Sequence, residues 1–506
     1  MSVTARIASG FKANLVAKVV EVGVNGLLIL LLTRVFLTSE EYGLLYLAIS
    51  IISIAIFFSQ FGLAKSAARY VTEYRKTDPS KVPLIVRRSL LFNLVAIVIV
   101  SGVFVAFRQS IAAWVGEPEL LTLLVLGVGF IVARTLRSYA YFLCQGFNRV
   151  SWSAGLSIVS NLGHLTFVVG FLALGYGVPG AILGYTIGYG LGAVVGLLVL
   201  YRWLAHIPTD RLADESDDDP KTTEIDRNDS SETGLTRRLL EYSLPLSITG
   251  ASSIMFKRVD IVLVGAFLTP VAVAYYTLAK QLTEFVAAPA SSLGFALAPT
   301  FGESKSTDDL DRAARIYETT FEHTLLFYIP AATGIVLVAD PAIRHVFGPD
   351  YLGAIPIVQV LALFVVLESI NKLTNGALDF LGRARHRAMS KGSAATINVG
   401  LNIALIPTIG PVGAAISTVI SYAIMATVNL YLIHSELSLS VRRLVGTAFK
   451  TCTVAVGMAL VVVLLLPYVS SIVSLVALVA VGVVAWLMLA VGSGMLDLRW
   501  AVSQLS

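Results

Sequence analysis

About fourteen stretches of mostly apolar residues, each long enough to cross a bilayer, follow one another along this chain with short polar connections on one side. A spanning helix needs roughly 20 predominantly apolar residues, because the hydrocarbon layer is about 30 Å thick and a helix rises about 1.5 Å per residue. The spans are predicted at 15–37, 42–63, 84–106, 120–142, 152–174, 178–201, 240–266, 271–299, 319–339, 353–381, 388–406, 412–433, 446–466 and 472–492. Only 14% of the residues are charged and the mean hydropathy is +0.80, whereas a soluble domain carries about 25% charge. Lipid offers no partner to backbone N–H and C=O groups, so the spans must satisfy their own hydrogen bonds as helices. The fold class expected is therefore an all-α integral membrane protein, with no room for a soluble catalytic domain.

The polar ends of the spans give an orientation. With the N-terminus in the cytoplasm, most Lys and Arg fall on the cytoplasmic side, counting Arg134 and Arg137 at the inner part of the fourth span. Arg34, Arg108 and Arg344 fall outside, and Lys257, Arg258, Lys280 and Lys372 fall within spans. The asymmetry is that of the positive-inside rule, and flipping the arrangement would expose the dense basic loop from Lys65 to Arg88. A multi-pass plasma-membrane protein with both termini cytoplasmic is expected, its first span a retained helix rather than a signal peptide. The net charge of +5 reflects this topology and lipid contact, not a nucleic-acid partner. Cys144 and Cys452 cannot form a disulfide framework, and no Cys/His spacing suggests a metal; no cofactor is expected.

From Pro208 to Thr236 the chain is polar, acidic and almost free of apolar residues, which predicts a disordered linker. It separates two halves that resemble each other. Phe36-Leu37-Thr38 and Leu47-Ala48 match Phe267-Leu268-Thr269 and Leu278-Ala279, Ile111 and Gly116 match Ile343 and Gly348, and the segment around Gly177-Val178-Pro179-Gly180 resembles Pro411-Val412-Gly413-Ala414. The expected organisation is a six-helix lobe at 1–207, the linker at 208–236, a second six-helix lobe at 237–434 and two added helices within 435–506. Six spans per lobe give both the same orientation, as in transporters built from parallel repeats related by a two-fold axis along the membrane normal.

Charged residues at a helix centre cost about 2.5–3.5 kcal/mol each even on insertion scales, so their pattern carries information. Asn14, Lys18, Glu21 and Asn25 keep to one helical face, as do Glu368, Lys372, Asn375 and Asp379. The eighth span adds Thr277, Lys280, Gln281 and Glu284, the seventh Lys257, Arg258 and Asp260. Lys280 with Glu284 and Glu368 with Lys372 stand at i, i+4, so ion pairing within each helix is the structural alternative to a functional role. Lys257 and Arg258, about 100° apart on an α-helix, are more than Asp260 alone can satisfy, and surplus buried cations call for an anion. His164 is read as a packed histidine or a proton relay. The Gly-rich run from Gly180 to Gly196 predicts close helix contact.

Three stretches, LTRVFLTSEEYGLLYLAISIISIAIFFSQFGLAKSAARY at 32–70, EYSLPLSITGASSIMFKRVDIVLVGAFL at 241–268 and IRHVFGPDYLGAIPIVQVLAL at 343–363, resemble the prokaryotic polysaccharide flippases. These share a superfamily with lipid II flippases and multidrug and toxic-compound extrusion antiporters. The resemblance covers nearly the whole chain in order. It implies a two-lobed helical transporter with a central cavity, moving a polyprenyl-phosphate- or diphosphate-linked sugar from the cytoplasmic to the outer leaflet by alternating access. Arg34 matches the family's first-helix Arg and Asp260 its seventh-helix Asp, while the long acidic linker departs from the usual short connection. Candidate substrate-binding residues are Arg34, Lys257, Arg258, Lys280, Lys372 and Asn375, with Asp260, Glu284, Glu368 and Asp379 as candidate ion-coupling residues; no catalytic residue or metal ligand is expected. The partners expected are the lipid-linked sugar, membrane lipids and glycosyltransferases of the same pathway. A multidrug cation antiporter would need a net acidic cavity. A membrane glycosyltransferase or polymerase would need large outer loops, whereas those at 107–119 and 340–352 are too short to form a domain.

Overall fold

The computed structural model describes residues 3–206, 232–291, 294, 301, 303 and 309–496. These are helical almost throughout, and no strand occurs among them. Among the described residues 12 helices are long and apolar enough to cross a membrane. The expected seventh and eighth spans are helical as well, at Glu232–Phe267 and Pro270–Ala287. Lys257, Arg258 and Asp260 in one, and Lys280, Gln281 and Glu284 in the other, lower their apolar character.

The chain forms two compact units, Met1–Val262 and Leu263–Ser506. In the first, α1 (Val3–Leu31) runs into a π-turn at Leu32–Phe36, followed by α2 (Ser39–Gln60), α3 (Leu63–Thr77), α4 (Val82–Ala106), α5 (Arg108–Val115), α6 (Leu120–Gly146), α7 (Val150–Ala173), α8 (Gly177–Leu204) and α9 (Glu232–Ile254). A second π-turn, Met255–Val259, leads into α10 (Asp260–Phe267). The second unit holds α11 (Pro270–Ala287), α12 (Leu310–Ala342), a π-turn at Ile343–Phe347, α13 (Ile355–Phe380), α14 (Ala384–Ile409), α15 (Pro411–Leu437), α16 (Val441–Leu465) and α17 (Ile472–Gly492).

Three boundaries differ from the sequence reading. The basic stretch after the second span is not a loop: α3 and the start of α4 fill it, and α3 buries Leu63, Ala64, Ala67, Tyr70 and Val71 while Arg75 and Lys76 close its last turn. The linker's last residues, from Glu232, already belong to α9; the rest of the linker, 208–231, lies outside the described residues. The first unit extends to Val262 rather than ending before residue 237. The reason is local: α9 packs on α3, where Ser66 Oγ donates to Leu239 O at 2.9 Å. Gly62 turns there with φ +65, and a Cβ on it would lie 2.8 Å from Ser243 O.

The matched sequence pairs carry the same local structure. Thr38 caps α2, accepting from Glu41 N in a capping box, and Thr269 caps α11, accepting from Ala272 N. Glu41 is thereby used to cap a helix. Gly116 and Gly348 both turn with positive φ, at +82 and +103.

Helices α7 and α8, joined by a short turn, pack closely against each other. Along α8, Gly188 and Gly192 face α7 one turn apart. A Cβ on Gly188 would lie 2.2 Å from His164 N, and one on Gly192 2.0 Å from Ser160 Oγ. Glycine lets the two backbones approach, so dispersion contacts replace the hydrophobic drive that lipid cannot supply.

Candidate functional site

In the N-terminal unit, two arginines sit well inside a spanning helix. Arg134 is 12 residues before the end of α6 at Gly146, about 18 Å along the axis; Arg137 is one turn further on. The α7–α8 pair builds their surroundings. Arg137 Nη2 donates to Ser157 Oγ at 2.8 Å and its Nε to Ser160 Oγ at 3.3 Å. Its guanidinium lies 5.3 Å from the Tyr141 ring and 5.8 Å from the Tyr189 ring. Arg134 lies 4.6 Å from the same Tyr189 ring. Ring faces attract a cation without neutralising it, and among the described residues neither arginine forms an ion pair. His164 fixes the tyrosines, its ring stacked on Tyr189 at 5.4 Å and on Tyr185 at 5.2 Å. It is the packed histidine of the sequence reading, with Nδ1 bonded to Ser160 O at 3.0 Å. Glu21, on the polar face of α1, lies within electrostatic reach of Arg137, but it is bonded to Lys18 at 3.2 Å.

The seventh-span cations occupy a π-turn, so the 100° α-helical spacing expected for them does not apply. Lys257 is exposed, Arg258 half-buried and Asp260 buried, with Asp260 Oδ1 accepting from Ile261 N at 2.8 Å. Arg258 lies within electrostatic reach of Tyr185, which places it on the Tyr185–His164 side of the unit. Arg34 occupies the π-turn that ends α1 and is exposed. Wide turns of this kind recur at functional positions.

In the C-terminal unit, α11 packs on α13. Glu368 and Lys372 form the expected pair at 3.5 Å, and Glu284 of α11 is within electrostatic reach of Glu368. Among the described residues no ion pair joins Lys280 to Glu284. Lys280 is buried 5.7 Å from the Tyr276 ring, and Glu284 is exposed. Asn375 accepts from Asn429 Nδ2 at 3.4 Å, beside the 3.1 Å bond from Asn429 to Asn371, so it helps join α13 to α15. Asp379 is exposed at the end of α13 and ion-paired to Arg387 of α14 at 2.6 Å. Structure thus brings Lys280, Glu284, Glu368 and Lys372 to one pair of helices, and sets Asn375 and Asp379 in helix-joining contacts.

Sequence reasoning passed over Arg134, Arg137, Tyr185 and Tyr189, treating the arginines as topological charges. The available signal was their i, i+3 spacing in the middle of a long apolar run, with Tyr141 one turn on from Arg137.

The chain matches the family model described as polysaccharide biosynthesis protein over residues 8–305, and a second model, MatE, over residues 245–404. It is 22% identical over 405 residues to a probable low-salt glycan biosynthesis flippase, Agl15, of Haloferax volcanii, covering 80% of this chain and 78% of that one. In fold it is similar to the lipid II flippase MurJ in an inward closed conformation, with a TM-score of 0.73, 16% identity, and coverage of 95% and 97% of the two chains. A multidrug resistance MATE family transporter in an inward-facing conformation superposes with a TM-score of 0.66 and 16% identity over 83% and 94%. The long match of residues 8–305, on a chain with the expected helices, settles the family: this chain belongs to the polysaccharide biosynthesis proteins.

Proposed function

We propose that this protein is a flippase carrying a polyprenyl-linked sugar or oligosaccharide, joined through phosphate or diphosphate, from the cytoplasmic to the outer leaflet for surface polysaccharide or glycan assembly. The observation that carries the reading is the Arg134–Arg137 pair. Two guanidiniums at membrane depth are held by tyrosine faces and serine hydroxyls, without a carboxylate in contact. Such cations are stable in a low-dielectric region when an anion enters, and a phosphate supplies the charge and the bidentate acceptor geometry that Arg favours. The similarity to a chain named as a glycan biosynthesis flippase points the same way. Export of an anion across an inside-negative membrane is downhill by about 2.3 kcal/mol per charge per 100 mV. Coupling to an ion instead would use Glu284 and Glu368, the carboxylates within electrostatic reach of each other on α11 and α13, or Asp260. Alternating access between two duplicated lobes, cytoplasmic termini, and glycosyltransferases of the same pathway as partners complete the reading; the protein itself performs transport and not bond chemistry.

The MatE match over residues 245–404 favours a second reading, cation antiport. The test separates the two. Proteoliposomes holding a fluorescent polyprenyl-diphosphate sugar are assayed for loss of quencher-accessible label. Arg134→Gln with Arg137→Gln should slow flipping by at least about tenfold, since each lost charge-assisted contact is worth about tenfold to a hundredfold. Unchanged flipping in the double variant, or proton-coupled efflux of an organic cation by the wild type, would overturn the proposal.

A further inference from the structure

On one side of the C-terminal unit a cavity of 720 Å³ opens between α12, the start of α16 and the residues after α17. Its walls include Glu322, His323, Leu326, Arg442, Arg443 and Lys450. The negative charges here are already spent. Arg443 grips Glu322 through two bonds, Nε to Oε1 at 2.6 Å and Nη2 to Oε2 at 3.0 Å, and its Nη1 reaches Glu318 Oε2 at 3.3 Å. Ser440 N donates to Glu318 Oε1 at 2.6 Å, and Thr447 Oγ1 to Glu322 Oε1 at 3.3 Å. Arg442 and Lys450 remain, facing the same cavity, with no ion pair or hydrogen bond among the described residues.

The position is informative. Lys450 lies nine residues into α16 from Val441, about 13 Å along the axis, so the cavity runs from the polar helix ends toward the apolar zone. Gly446 lies between the two cations on the cavity wall, and a Cβ there would meet nothing within 4 Å. The missing side chain is therefore not required for helix packing; it leaves the cavity open. Two uncommitted cations and a preformed cavity at the membrane boundary match the chemistry of a phosphate group whose apolar tail stays in the bilayer.

We propose that this cavity binds the phosphate of a phosphate-bearing ligand, either a membrane-lipid headgroup or a soluble phosphate ester. The site stands apart from the arginine pair of the N-terminal unit and does not depend on the flippase reading. The test uses the full chain purified in detergent and native mass spectrometry. Dioleoyl-phosphatidylglycerol, dioleoylglycerol and glycerol phosphate are titrated against the wild type, Arg442→Gln with Lys450→Gln, and Gly446→Leu. Leucine favours a helix more than glycine does, so the last variant fills the cavity without weakening α16 or changing charge. Phosphatidylglycerol should bind the wild type at least about tenfold more tightly than either variant, and dioleoylglycerol should bind none of them selectively. Competition by glycerol phosphate with the same sensitivity to both variants would assign the site to soluble esters; retention of phosphatidylglycerol against it would assign the site to lipid. Equal phosphatidylglycerol binding by the wild type and both variants would overturn the proposal.

Discussion

Gly188→Ala tests the packing that holds the arginine pair. The added Cβ would stand 2.2 Å from His164 N and 2.3 Å from His164 Cα, whereas carbon atoms rest about 3.5–4.0 Å apart. The obstacle is backbone, so no rotamer change relieves it, and α7 and α8 must part by more than about 1 Å. Overpacking of this kind costs about 1–3 kcal/mol. Gly170→Ala, on α7, is the control: its Cβ meets nothing within 4 Å, and replacing a helical glycine there gains about 0.5–1 kcal/mol. Both changes are Gly→Ala within helices, so the propensity gain cancels and the two variants should differ by about 1–3 kcal/mol, which at roughly 2–4 °C per kcal/mol for a unit of this size is at least about 2 °C in melting temperature. A built-in reporter exists, since Cys144 is fully buried in α6 and Cys452 is exposed. In a Cys452→Ser background, a fluorogenic maleimide reacts only as the N-terminal unit opens. If Gly188→Ala melts at or above Gly170→Ala, the close α7–α8 approach is wrong, and with it the seating of Ser160 and His164 beside Arg137.

Further outcomes follow from the same geometry. Thr38→Ala removes the hydroxyl that accepts from Glu41 N at 3.2 Å and should lower stability by about 1 kcal/mol in the same thiol melt. Asp78, between α3 and α4, titrates low: burial pushes its carboxyl up, but hydrogen bonds from Ser80 and Lys81 outweigh that and hold it below the usual value. A depressed acid stabilises the fold above its unfolded-state pKa and loses that contribution as pH falls through its folded-state value. Melting temperature should therefore drop below about pH 4, and Asp78→Asn should flatten that limb; an unchanged acid limb would count against the pairing. A cysteine at Ser216, in a background free of other thiols, should react with an impermeant maleimide in inverted vesicles and not in intact cells; the reverse pattern would invert the topology.

The helical spans were legible because each rests on a local sum. About 20 apolar residues repay insertion wherever their neighbours lie in the sequence, and helix is the structure that satisfies a backbone in lipid. The glycine run from 180 to 196 was legible for the same reason, as was the Glu368–Lys372 pair, one turn apart on one helix. The π-turn at Met255–Val259 was not, because it shifts the register of Lys257 and Arg258 without a mark in hydropathy. Nor was the α9 packing that carries the first unit to Val262, since it depends on Gly62 and Ser66 meeting residues about 170–180 positions away.

The same division runs through the charged residues. Sequence by itself determined that the chain crosses the membrane many times, that lysines and arginines crowd one set of span ends, and that several ionisable groups are forced to membrane depth. Beyond neighbours on one helix such as Glu368 and Lys372, it could not determine which of them are neutralised, because their partners lie on other helices. Asp379 meets Arg387 across a helix turn-around, Asn375 meets Asn429 54 positions away, and Glu318 and Glu322 are taken by Arg443 more than 120 positions on. Only once those contacts are made do Arg134 and Arg137 stand out as cations surrounded by tyrosine and serine, and Arg442 and Lys450 as cations facing open space. Charge is a property of a residue type, but its neutralisation is a property of distance, and distance between helices is set by tertiary packing.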